Sequence, residues 1–96
     1  MSYLLTLFAA MYDLILTRKA QRFYEQADKS LTSRLNRCFD QLCQNPYQHP
    51  NIKALKGRLS GRFRYRIGNW RVIYTVDDSQ QQITILLIAS RGQVYD

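Results

Sequence analysis

Residues 62–67 read Arg-Phe-Arg-Tyr-Arg-Ile, followed by Gly68-Asn69 and then Trp70-Arg71-Val72-Ile73-Tyr74. Alternating charged and apolar side chains have the two-residue period of a β-strand, so Arg62, Arg64 and Arg66 project from one face and Phe63, Tyr65 and Ile67 from the other. Gly68-Asn69 is a two-residue hairpin signal between this strand and a second one over Trp70 to Val76. A two-residue turn would pair Ile67 with Trp70, Arg66 with Arg71, Tyr65 with Val72, Arg64 with Ile73 and Phe63 with Tyr74. Opposed residues share a face, which brings Arg71 to Arg64 and Arg66. Stability alone would not select a cross-strand Arg66–Arg71 pair. A phosphate seated between them would turn the repulsion into charge-assisted hydrogen bonds.

No Asp or Glu occurs between Asp40 and Asp77, so the segment holds no carboxylate to neutralise this arginine face. Lys53, Lys56, Arg58, Arg62, Arg64, Arg66 and Arg71 all fall within that gap. The six basic residues of 18–37 are mixed with Glu25 and Asp28 and read as ordinary solvated helix faces. The formal net charge is +7, with a pI near 9.8. That balance points to nucleic acid, an anionic surface or an acidic partner. The competing reading of the arginine strand is a solvated edge with snorkelling side chains and no ligand.

The rest of the chain places this hairpin in a single α+β domain, since 96 residues leave room for one modest core. Tyr12 to Leu16 reads as a first strand. Thr17 is a fitting N-cap for a helix carrying Ala20, Phe23, Tyr24 and Ala27 at helical spacing. Ser30 is expected to cap a second helix with a stripe of Leu31, Leu35, Cys38, Phe39 and Leu42, ended by Asn45-Pro46. So short a connection makes the two helices an antiparallel hairpin. Residues 46–52 read as loop, 77–81 as a polar turn, and 82–89 as a last strand that is apolar on both parities and therefore central. The expected order is β-α-α-β-β-β, a mainly antiparallel meander with the helices packed on one face. The domain is expected over residues 11–96, with residues 1–10 an N-terminal extension, disordered or laid on a free apolar surface. The nearly uncharged run from Met1 to Leu16 lacks a basic leader and is interrupted by Asp13, so neither a signal peptide nor a membrane span is expected.

Elimination narrows the chemistry. Cys38 and Cys43 lie five apart in a helix and point in different directions, so free thiols in a reducing cytoplasm are expected. The one histidine, His49, lies in a Pro-flanked loop and reads as solvated surface, and the one glutamate, Glu25, sits on a polar helix face. Paired-carboxylate chemistry, a metal site and a glycine-rich phosphate loop find no support, and no cofactor is expected. An enzyme of this composition must work with guanidinium, lysine and phenol groups. Such groups meet again in the tail Ser90-Arg91-Gly92-Gln93-Val94-Tyr95-Asp96. Whether Arg91 joins the arginine face depends on register: an odd turn between the last two strands puts it there, an even turn does not unless a bulge intervenes.

Taken together, Leu55-Lys56-Gly57-Arg58-Leu59, the segment from Phe63 to Tyr74 and the tail from Arg91 to Tyr95 resemble the RelE/ParE superfamily of bacterial toxins over residues 11–96. In the RelE branch the resemblance implies a cytoplasmic, ribosome-dependent endoribonuclease that cuts mRNA in the decoding site. The substrate's 2′-hydroxyl attacks the adjacent phosphate, without a metal. The implied site is Arg64 and Arg66 where that branch often has lysines, Arg71 on the phosphorane charge, Arg91 at the leaving oxygen, and Tyr95 stacking on a base or moving a proton. Lys53, Lys56, Arg58 and Arg62 would hold RNA around it. Ser90 and Asp96 stand where many relatives carry a histidine and a basic residue. A guanidinium with a pKa above roughly 12 is a poor proton acceptor, so Tyr95 is the better candidate base. The implied partners are a RelB-like antitoxin, forming a hetero-oligomer, and the ribosome; no membrane is involved. Two alternatives stand beside this reading: a ParE-like inhibitor of DNA gyrase, and a non-catalytic basic RNA-binding module.

Overall fold

A computed structural model describes residues 11–93; residues 1–10 and Tyr95 lie outside them. Strand β1 (Asp13–Leu16) leads through Thr17 into helix α1 (Arg18–Gln26). The Thr17 hydroxyl accepts from the Ala20 N–H at 3.2 Å, the N-cap bond its position implies. Helix α2 (Lys29–Gln44) is capped by Asp28, whose Oδ1 accepts from the Leu31 N–H at 2.8 Å. Ser30 therefore lies in the first turn rather than at the cap. A carboxylate there also meets the positive end of the helix dipole, which a hydroxyl does not do. Asn45 closes the helix before Pro46.

The sheet has five strands in the order β1-β5-β4-β3-β2. Strand β2 (Ile52–Ala54) is a short edge strand that the expected element order lacks; three residues are too few to display an alternation. It pairs antiparallel with β3 (Phe63–Ile67), which pairs with β4 (Trp70–Asp77), which pairs with β5 (Gln82–Ser90). Strand β1 joins the other side of β5 in parallel, so the sheet is mixed; β5, expected to be central from its double-sided apolarity, is an interior strand between β1 and β4.

Both helices cover one face. Ala20, Leu35, Cys38 and Leu42 meet Tyr65, Ile67, Val72, Tyr74, Ile83, Ile85 and Ile88 in a single core. These are the apolar parities of the hairpin strands and the helical stripes read from the sequence. Cys38 and Cys43 are both free, and burial pushes the Cys38 thiol well up from its ordinary value. His49 departs from expectation: it is half-buried and stacked on Tyr65 with ring centres 5.1 Å apart, and its Nδ1 accepts from the Asn51 N–H at 3.0 Å. Packing against the β3 tyrosine holds the loop that carries β2. Among the described residues no helix is long and apolar enough to cross a membrane.

Candidate functional site

The β3–β4 hairpin sets the site. Its pairs are Phe63–Tyr74, Arg64–Ile73, Tyr65–Val72, Arg66–Arg71 and Ile67–Trp70, the register that a two-residue turn dictates. Gly68 takes φ +57° while Asn69 stays out of the left-handed region, the type II′ pattern that matches strand twist and calls for glycine at its first central position. Tyr65 and Ile67 go into the core, so Arg64, Arg66 and Arg71 occupy the face turned away from the helices. Strand β2 adds Lys53, paired with Arg64 and exposed.

Arg91 reaches the same face through an irregularity in β5. Asp77 pairs with Gln82, so the β4–β5 turn holds four residues, 78–81, an even number. On parity alone Arg91 would point to the helix side. Between Ile73–Leu87 and Tyr74–Ile85 the register shifts by one, however, leaving Leu86 as an extra residue on β5. Beyond that bulge Arg71 pairs with Ala89, and the Arg91 N–H donates to the Asn69 carbonyl at 2.7 Å, one step further along the same ladder. The bulge is anchored by Thr17, whose hydroxyl donates to the Leu86 carbonyl at 2.9 Å. Sequence reading identifies Thr17 only as a helix cap. The second bond needs the parallel β1–β5 pairing, which no local pattern displays.

The arginine face is not a row of unpaired guanidinium groups. Arg64 donates from Nη1 to the Asn51 carbonyl at 2.8 Å. Arg71 is 4% exposed and donates from Nη1 to the carbonyls of Gly68 at 2.9 Å and Trp70 at 3.1 Å. These backbone acceptors fix the geometry of the two guanidinium groups. Arg66 and Arg91 are exposed. Ile73 and Ala89, on the same face as Arg71, are buried and stand apart from the core cluster beneath the helices. Of the other basic residues singled out in the sequence, Arg62 is half-buried just before β3. Lys56 and Arg58 are exposed at the 3₁₀ turn Gly57–Leu59, without a strand register that aligns them with Arg64 and Arg66. Among the described residues no group of three or more His, Cys, Asp and Glu could hold a metal ion.

Two helices on one face of a mixed five-stranded sheet, with arginines gathered on the other, define a small basic toxin fold of the RelE/ParE type. The family model of the ParE toxin of type II toxin–antitoxin systems, parDE, matches residues 14–95, and the chain belongs to that family. It is therefore the toxin of a toxin–antitoxin system. Among solved structures it is similar to the archaeal RelE–RelB complex from Pyrococcus horikoshii OT3, with TM-score 0.75, 25% identity, and coverage of 88% of this chain and 99% of that one. It is also similar to the toxin–antitoxin complex RelBE2 from Mycobacterium tuberculosis, with TM-score 0.72, 26% identity, and coverage of 86% and 94%. The YoeB/ParE toxin from Agrobacterium tumefaciens shares the fold at TM-score 0.74 and 20% identity, over 81% of this chain and 96% of that one. No curated protein matches the chain in sequence.

Proposed function

We propose that this toxin is a metal-independent mRNA endoribonuclease that works in the decoding site of the ribosome and is restrained by a RelB-like antitoxin in the cytoplasm. The observation that carries the reading is the convergence of Arg64, Arg66, Arg71 and Arg91 on one face, the last of them through a bulge. Cleavage by the RNA's own 2′-hydroxyl forms a 2′-O–P bond and breaks the P–O5′ bond, leaving a cyclic phosphate and a 5′-hydroxyl. The protein's task is to hold the phosphate and stabilise the negative charge of the phosphorane. Exposed Arg66 and Arg91 contact the phosphate oxygens and the leaving oxygen. Arg64 and Arg71, fixed on backbone carbonyls, supply charge that need not reorganise during the reaction. Tyr95 is assigned the proton transfer, and Lys53, Lys56, Arg58 and Arg62 the flanking RNA.

Primer extension on mRNA after brief expression tests the reading. Cuts confined to translated codons are expected, weakened about 100-fold or more by Arg66→Ala or Arg91→Ala, the usual cost of one oriented transition-state donor. The second reading, inhibition of DNA gyrase, is favoured by the name of the matching family. Intact mRNA with stalled replication and trapped gyrase would establish it instead.

A further inference from the structure

The basic residues of the helices are expected on solvated faces, and Arg34 and Arg37 are indeed exposed, but these two also line a cavity. Arg34 and Arg37 of α2, with Asn51, Tyr65, Arg66, Ile67, Gly68 and Cys38, surround a space of about 240 Å³ beside the β3–β4 turn. No carboxylate is among its described lining residues. Arg34 and Arg37 are three apart, so their side chains are neighbours on the helix, a like-charge arrangement that disfavours the helix. The Arg34 guanidinium lies over Gly68, with Nη2 2.8 Å from where a β-carbon would stand. The bare glycine that the turn requires thus also admits the arginine to the mouth of the cavity. On the cavity wall Tyr65 keeps its phenol protonated, because burial raises its pKa and the Cys38 thiol adds to the shift, against a smaller opposing effect of the Asn51 hydrogen bond. The described lining therefore offers cations and neutral groups.

We infer that this cavity is a second phosphate-binding site, which holds the RNA backbone next to the phosphate on the arginine face. Arg66 belongs to the strand that carries that face and also lines the cavity, so the two sites meet at the hairpin end. A chain with a negative charge on every nucleotide can occupy both at once; an isolated carboxylate cannot. The planar fork of a guanidinium suits phosphate oxygens. The inference rests on the RNA-directed part of the proposed function, but not on cleavage.

The test measures binding of the purified chain to a fluorescently labelled single-stranded RNA over a series of salt concentrations. Arg34→Gln/Arg37→Gln is compared with Lys19→Gln/Arg22→Gln, a charge-matched pair on exposed positions of α1. The α2 pair should weaken binding about tenfold at moderate salt and flatten the slope of log K against log salt by about 0.7, the value of one single-strand phosphate contact. The α1 pair should leave the slope unchanged. Equal slopes for wild type and both variants, or RNA binding too weak to measure, would overturn the inference. So would an Asp/Glu-rich peptide that needs Arg34 and Arg37 and displaces no RNA. Ribosome-dependent cleavage is scored in parallel. RNA binding that depends on the α2 pair, without mRNA cutting, keeps this site and removes the nuclease. Cutting with an unchanged slope does the reverse.

Discussion

The two turns of the meander lie at opposite ends of β4 and treat charge in opposite ways. At the β4–β5 turn, the Asp77 carboxylate accepts from the Ser79 hydroxyl at 2.7 Å and the Gln80 N–H at 3.2 Å, and these bonds hold its pKa below the ordinary value. Asp78 accepts from the hydroxyls of Tyr12 and Tyr47, each at 2.8 Å. Asp77 and Asp78 both accept from neutral donors of the chain itself. At the β3–β4 turn, arginines from β3, β4, α2 and the end of β5 come together. Arg64 and Arg71 are held there by backbone carbonyls, which orient the guanidinium groups. The β4–β5 turn is closed on the chain's own donors; the β3–β4 end is open in that Arg66 and Arg91 are exposed. The acidic end is also out of reach as an internal counter-ion, because β4 separates the turns by its eight residues, roughly 25 Å at the usual strand rise.

Arg71 puts the largest strain on that contrast, because it is the cation of the open end that is buried. Arg71→Ala should lower unfolding stability by about 2–3 kcal/mol, since charged hydrogen bonds contribute about 1.5–3 and two carbonyls lose a donor. Arg66→Ala, exposed and facing Arg71, should change stability by less than about 0.5 kcal/mol. Urea denaturation of the two variants measures the difference. Equal effects would mean that Arg71 is only another surface charge and that the open end is not preorganised.

The link between the two ends is the bulge, and Thr17→Val probes it. The variant keeps the side-chain shape but loses the cap bond to Ala20 and the bond to the Leu86 carbonyl, for an expected cost of about 1–2 kcal/mol. If the bulge relaxes, Arg91 turns from the face of Arg71 to that of Val72. Amide exchange should then quicken at Arg91, whose N–H is bonded to Asn69. An Arg91 amide as protected as in wild type would show that the bulge holds without Thr17. This residue also marks how far the sequence was legible. Alternation, a glycine turn and helical stripes are local signals, and they specified the hairpin register, both helices and the core. Arg91 required the parity of the turn and of the bulge together, and the bulge depends on a parallel strand nearly seventy positions away in the chain. Arg34 and Arg37 are exposed as their charge implies, but the cavity they line depends on helix α2 lying over the turn, a tertiary contact that charge counting along the chain does not display.

The smallest effect tests the closed end. Tyr47 has its pKa pushed up to about 12, by desolvation first and then by its hydrogen bond to Asp78. Tyr12 is raised too, chiefly by its bond to the same carboxylate. For a phenol raised above its unfolded value of about 10, the folded state holds the proton more tightly, so the contribution to stability is complete below pH 10. It is lost as pH rises through about 12 for Tyr47. Asp78→Asn should move part of the tyrosinate absorbance titration to lower pH, while desolvation keeps Tyr47 somewhat raised. The unfolding midpoint at neutral pH should barely change, because these bonds are exposed and water can replace them. Superimposable titration curves for wild type and Asp78→Asn would mean that Asp78 does not hold the two phenols, and the charge contrast between the two turns would then rest on Asp77 alone.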